Sequence, residues 1–216
     1  MENKRFLRFL GMIILLAILK SSIALSETLR DDPLEMIYTD TDGKMHTVNL
    51  YGATIAEEQF SHNEDMIEIV IPEGISVIQG EAFWGCEKLR KVSFPSTLIA
   101  IESSAFQQCS HLQQIEFCEG LVCIGRCAFA ETGLTSVSLP QSLQWLGDEV
   151  FAKSPLERLD IHSCYFEYCS LLFAYTSSDY LEIHVPSLEY FDDFIFDLHF
   201  DDTVCHLIEE PSWDLD

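Results

Sequence analysis

The chain has 216 residues, 48% of them apolar, and a formal net charge of −24. That length and apolar content suit one cored domain and exclude a disordered tail. A surface this anionic repels phosphate backbones and anionic lipids, so nucleic acid and a membrane surface are not expected partners.

Residues 1–26 read as a secretory signal. Lys4, Arg5 and Arg8 form a basic start, Phe9 to Leu19 is an apolar run broken only by Gly11, and small residues follow at Ser21, Ser22, Ala24 and Ser26. The run is short of the roughly 20 residues that span a bilayer, and Lys20 closes it. Removing this segment takes away Lys4, Arg5, Arg8 and Lys20 but only one acid, Glu2, so the mature chain is more anionic still. The expected location is secreted or extracellular, with no membrane anchor in the mature chain. Tethering by an uncleaved N-terminal segment is the alternative.

Residues 27–65 read as an N-terminal cap. Met36-Ile37-Tyr38 and Met45 to Leu50 are strand-like and flank Asp40-Thr41-Asp42-Gly43, the signature of a hairpin. The Asp40-x-Asp42-Gly43 spacing also begins like a calcium loop, but it lacks the third carboxylate and the closing Glu, so the turn is preferred.

Residues 66–161 repeat a phrase every 22 or 23 positions. One copy runs Ile71-Pro72, Ile78, Ala82-Phe83, Cys86, Leu89, Val92. The next runs Phe94-Pro95, Ile101, Ala105-Phe106, Cys109, Leu112, Ile115. Two more carry Ala128-Phe129 and Val150-Phe151 in the same frame, with Cys118 in the proline position of the third and Pro140 in that of the fourth. A period of this size means one structural unit stacked on copies of itself, since a single coil cannot bury its own apolar edge. Each copy holds two short extended runs. In the first, Val92 and Phe94 face inward while Lys91 and Ser93 face outward. The proline ends that strand because it has no N–H to donate.

The repeat frame also sorts the cysteines. Cys86, Cys109, Thr132 and Ser154 share one position, three residues after the core Phe, which predicts a small buried slot and core thiols. Cys118, Cys127, Cys164 and Cys169 are the better disulfide candidates. Sequence leaves their pairing open among the eight cysteines.

Residues 162–208 are predicted to be a degenerate coil and a C-terminal cap. Leu181 to Val185 is extended. Pro186-Ser187 starts a helix carrying Leu188, Phe191, Phe194, Ile195 and Leu198 at helical spacing, and Thr203 to Ile208 is extended again. Asp192, Asp193, Asp197, Asp201 and Asp202 are read as the solvated face of this cap rather than a metal site. Residues 209–216 form an acidic tail.

The Pro, Ile, Ala-Phe, Cys, Leu, Val frame resembles the BspA-like, bacterial-surface-antigen type of leucine-rich repeat. Ile124-Gly125 and Leu146-Gly147 carry its glycine; Ile78-Gln79 and Ile101-Glu102 depart from it. The resemblance implies an α/β solenoid of about five coils. It places a parallel sheet on one face, with a hairpin cap before it and a strand-helix-strand cap after it. It also implies a secreted or cell-surface binding or adhesion module with no family-wide active site.

No sequence pattern for nucleophilic, zinc or nucleotide chemistry is present, so neither catalysis nor a cofactor is expected. The expected partner is a protein or surface ligand. Its expected contacts are the outward positions of the first run in each coil: Lys91 and Ser93, Gln114 and Glu116, Ser136 and Ser138, Arg158 and Asp160. A structural component of an extracellular layer is the second reading.

Overall fold

The computed structural model describes residues 32–162, 167–168, 180–186 and 205–209. The expected signal segment, the helix expected from Ser187, Cys164, Cys169 and most of the acidic tail lie outside them. The described chain opens with β1 (Leu34–Thr39) and β2 (Met45–Leu50). Short strands follow: β3 (Thr54–Ile55), β4 (Glu68–Val70), β5 (Val77–Ile78), β6 (Lys91–Ser93), β7 (Ala100–Ile101) and β8 (Gln114–Glu116). Next come β9 (Cys123–Ile124), β10 (Ser136–Leu139), β11 (Trp145–Leu146), β12 (Arg158–Ile161) and β13 (Glu167–Tyr168). The last two are β14 (Leu181–Val185) and β15 (Cys205–Glu209).

The strands confirm a solenoid, and its α/β class finds no support in them. Among the described residues there is no helix, so the expected α/β character is not found. The reason is local. One residue before each Ala-Phe pair, or its counterpart, the backbone is left-handed: Glu58, Glu81, Ser104, Cys127 and Glu149 have φ between 54° and 58°. A second left-handed column, His62, Gly85, Gln108, Glu131 and Lys153, follows with φ between 54° and 69°. Such residues cannot propagate a right-handed helix. The turn they make sends its N–H groups to the next coil instead: Phe83 N–H donates to Ala105 O at 2.8 Å and Phe106 N–H to Ala128 O at 2.9 Å.

The parallel sheet expected on one face is likewise only part of the architecture. Sheet runs along two sides of the coil, because the Val77-Ile78 run and its counterparts also pair from coil to coil. They form a six-stranded sheet in the order β13-β11-β9-β7-β5-β3. Of the expected strand-helix-strand cap, the two strands are present and pair directly in parallel, Glu182 beside His206.

The first side is divided. β2-β1-β4-β6-β8 form one sheet and β10-β12-β14-β15 another. The break follows the repeat length. Phe83 to Lys91 and Phe106 to Gln114 span eight residues, whereas Phe129 to Ser136 and Phe151 to Arg158 span seven. The break between β8 and β10 falls where that span shortens. Gly133 sits in the shortened turn, where a Cβ would come within 2.8 Å of Ser110 O. A shared approach explains Gly125 and Gly147: a Cβ there would lie 2.6 Å from Ser103 N and 2.5 Å from Arg126 N.

Repeat geometry also begins before the landmarks that mark it in sequence. β3 pairs with β5 in parallel, Ile55 beside Ile78, and the Phe60 ring stacks on Phe83 at 5.2 Å. Residues 54–62 are therefore a truncated first coil inside the region read as cap. The hairpin does cover the array's first edge, since β1 pairs antiparallel with both β2 and β4.

The core is a stack of rings. Phe83–Phe106 and Phe106–Phe129 lie 5.0 and 5.3 Å apart, nearly parallel at 6° and 2°, and Phe129–Phe151 lie 6.2 Å apart. These four phenylalanines are fully buried. At ~1.5–3 kcal/mol for burying each such side chain, this column contributes substantially to cohesion between coils.

The slot shared by Cys86, Cys109, Thr132 and Ser154 is buried, as expected, but it is also polar. Cys86 Sγ donates to Phe60 O at 3.1 Å, Cys109 Sγ to Phe83 O at 3.2 Å and Ser154 Oγ to Phe129 O at 3.1 Å. The position requires a small side chain with a hydrogen to donate: Cys86, Cys109 and Ser154 cap a phenylalanine carbonyl of the preceding coil, while Thr132 Oγ1 donates to Phe129 O of its own coil at 2.9 Å. Cys86 and Cys109 are free thiols, as are Cys118, Cys123 and Cys127. Cys118 and Cys127 thus carry no disulfide in the structure. Cys127 Sγ instead donates to Glu149 Oε2 at 3.3 Å, and Cys118 Sγ to Phe94 O at 3.5 Å.

Candidate functional site

Alternation along each strand of the first side sends one residue into the core and the next to solvent. In β6, Val92 is buried between exposed Lys91 and half-buried Ser93; in β10, Val137 is buried between exposed Ser136 and Ser138. Pairing aligns the outward residues in columns. Glu68, Lys91 and Gln114 are neighbours, as are Val70, Ser93 and Glu116. Past the break, Ser136 lies beside Arg158 and Ser138 beside Asp160. The eight residues singled out in sequence therefore share one side of the solenoid but fall into two sets on two sheets.

Two extensions escaped sequence reading. The hairpin adds outward residues to the first sheet: Ile37 pairs with Val70 and Thr39 with Glu68, while Thr47 and Met45 continue the rows on β2. Ile37 and Val70 are 40% and 50% exposed, which makes an apolar patch in the row of Ser93. The alternation in residues 34–39 and 45–50 carries this signal, but the antiparallel docking onto β4 has no sequence landmark. On the second sheet β14 continues the rows, placing Glu182 beside Arg158 and His184 beside Asp160. Tyr180 Oη donates to Glu182 Oε1 at 2.5 Å, and His184 Nε2 lies 3.2 Å from Glu182 Oε2. These two contacts, the tyrosine's foremost, hold the Glu182 carboxyl below the usual glutamate range.

The two sets differ in how their charges are used. Arg158 Nε donates to Asp160 Oδ1 and Oδ2 at 2.9 and 3.1 Å, so the scarce cation of the second sheet is bound within its own strand. Arg126 pairs with Glu149 at 2.8 Å and Lys153 with Glu131 at 3.3 Å. Lys44, Lys88, Arg90 and Lys91 have no carboxylate partner among the described residues. These four belong to the hairpin and to the turn and strand leading into β6, at one corner of the first sheet.

At that corner the hairpin loop, Ile67, the 88–90 turn and the 111 turn enclose a cavity of about 370 Å³. The loop is closed by its own aspartate. Asp40 Oδ1 accepts N–H bonds from Asp42 and Lys44, each at 2.9 Å, and Oδ2 lies 2.6 Å from His46 Nε2. The His46 bond, before all else, holds the Asp40 carboxyl below its ordinary range. This is the preferred turn reading of Asp40-x-Asp42-Gly43, with the carboxylate used inside the turn. Among the described residues no group of three or more His, Cys, Asp or Glu is arranged to hold a metal.

The BspA type leucine-rich repeat region is matched in six copies over residues 53–179, which starts at the truncated first coil. Two solved structures are similar in fold. One is a leucine-rich repeat protein from Bacteroides ovatus, 21% identical, TM-score 0.51, over 73% of this chain and 47% of that one. The other is the leucine-rich repeat protein of T. pallidum, 22% identical, TM-score 0.52, over 74% of this chain and 82% of that one. This chain therefore spans about half of the Bacteroides ovatus protein. No curated protein matches it.

Proposed function

The chain belongs to the BspA-type leucine-rich repeat family, and from that premise we propose that it is a secreted or cell-surface module that binds another protein through its first sheet. The family is one of protein-interaction modules, typically extracellular or surface-associated. Among the described residues no helix is long and apolar enough to cross a membrane. Adhesion or recognition without catalysis fits this setting.

One observation carries the choice of face. On the first sheet the inward positions repeat as Ile69, Val92 and Ile115, while the outward ones, Glu68, Lys91 and Gln114, differ and are exposed. Folding uses the first set and leaves the second free for a partner. Among the described residues Lys91 has no carboxylate partner, and Ile37 and Val70 supply exposed apolar area on the same face, in the row of Ser93. Ser93 and Glu116 flank that patch. Ser136, Ser138, Arg158 and Asp160 form the outer part of the same surface. The test is capture of the purified partner by wild type and by Lys91→Glu, with melting temperature measured in parallel. The reading expects capture to weaken more than tenfold at unchanged melting temperature. Unchanged capture would move the interface off this sheet.

A further inference from the structure

The corner cavity is not required by the repeat. It exists because the hairpin loop overhangs the turns of two successive coils, so three separate parts of the chain meet there. Its charged lining is Lys88 and Arg90 from one turn, His111 from the next, and Asp40 from the loop. Asp40 is occupied by His46 and by two N–H groups of its own turn. That leaves two cations without carboxylate partners among the described residues, and a histidine in the lining.

His111 has a defined orientation. Its Nδ1 donates to the Glu87 carbonyl at 2.7 Å, with Ser110 Oγ at 3.3 Å. The ring is therefore held by one nitrogen, and Nε2 is left for another partner. Thr39 and Thr41 add hydroxyls to the lining. The chain as a whole is strongly anionic, but fields from distant charges are screened within ~8 Å at physiological salt, so the local cations decide what enters. Thr39 also begins the outward row that continues through Glu68 and Lys91, so the cavity opens onto the proposed binding face.

We propose that this cavity is the anchor for an acidic side chain of the protein partner. Lys88 and Arg90 hold the carboxylate and His111 Nε2 donates to it when protonated. This deepens the reading above and rests on it for the partner's being a protein. An extended acidic segment is favoured over a sulfated sugar or free phosphate because the cavity lies at the ends of β1, β4 and β6, whose outward row runs from it onto the proposed protein-binding face. The lining offers no Phe, Tyr or Trp ring for a sugar to stack on.

The test is titration of the isotope-labelled mature chain, followed by amide resonances, with three probes: acetyl-Gly-Glu-Glu-Glu-Gly-amide, a sulfated disaccharide and inorganic phosphate. The expected result is saturable shifts with the peptide, confined to residues 39–44, 88–91 and 111. The peptide affinity should fall at least fivefold in Lys88→Glu/Arg90→Glu and in the milder Arg90→Gln. Because all of these side chains are exposed, melting temperature should stay at the wild-type value, which separates lost binding from lost fold. Absent or scattered peptide shifts would overturn the proposal, as would tighter binding of the disaccharide or phosphate. Partner capture lost in Lys91→Glu but intact in Lys88→Glu/Arg90→Glu would keep the binding face and refute the anchor. The converse would keep the anchor and refute the face.

Discussion

The phenylalanine turn and the open strand face occur in every coil, yet they treat sequence in opposite ways. At the turn, Phe83, Phe106, Phe129 and Phe151 are the same residue in the same fully buried place. On the first sheet, Glu68, Lys91 and Gln114 share one place and no chemistry. The turn holds each coil to the next through stacked rings, carbonyl caps and backbone bonds. The face is left over once those bonds are made. Stability and recognition are therefore written at different positions of one repeat and should be separable by mutation.

The largest effect should come from breaking the turn. Phe106 has rings on both sides at 5.0 and 5.3 Å, so Phe106→Ala should cost about 3–5 kcal/mol through lost burial and a cavity. Phe60, half-buried and stacked on one side only, should cost less. Denaturant unfolding of the two variants checks the order, and equal losses would show that the ring column is not a substantial source of cohesion.

Next is the carbonyl cap. Cys109→Ala leaves the Phe83 carbonyl without its Sγ donor and should cost ~1–2 kcal/mol, whereas Cys109→Ser keeps a donor and should cost less. The same burial predicts low reactivity. Desolvation pushes the Cys109 thiol well up and Cys123 to about 12. Alkylation of the folded protein should therefore spare both and reach the half-exposed Cys118 and Cys127 first. Mass spectrometry after brief alkylation decides it.

A smaller effect should appear in acid. Glu149 is held below its ordinary 4.5, chiefly by the Arg126 hydrogen bond. A depressed carboxylate adds stability above its unfolded pKa and loses it as pH falls through the lower folded value. Replacing Arg126 with Gln should therefore lower stability slightly at neutral pH and leave it unchanged at pH near 2. Because the pair is mostly exposed, the neutral-pH loss should be under ~1 kcal/mol.

Much of this division is visible in sequence because the repeat is covalent. The period, the buried Ala-Phe pair and the inward-outward alternation all follow from spacing along one chain. What was missed depends on meetings between distant segments. The first coil was overlooked because Ala56 to His62 keeps the Phe but lacks the Ala and Pro landmarks. The hairpin's share of the open face requires β1 to dock antiparallel on β4, which no local signal announces. Within the described coils no helix forms, because left-handed φ at Glu81, Ser104 and Cys127 goes with coil-to-coil bonding, while the cap helix expected from Ser187 lies outside the described residues. The split between β8 and β10 was legible, in the change from eight to seven residues between core Phe and strand. So was the Arg158–Asp160 pair, since alternate strand residues share a face. Both needed the three-dimensional frame before their consequence could be seen.

The smallest stability effect and the largest functional one should coincide at the open face. Lys91→Glu should change stability by under ~0.5 kcal/mol, as surface changes away from special features do. The most direct measurement of the division is site-specific photo-crosslinking to the partner from two exposed positions, Gln114 on the first sheet and Ser103 just after β7 of the six-stranded sheet. Neither side chain is part of the core. The account predicts crosslinking from Gln114 and none from Ser103, with both labelled proteins melting as wild type. Crosslinking from Ser103 alone would contradict it and place recognition on the opposite side of the solenoid.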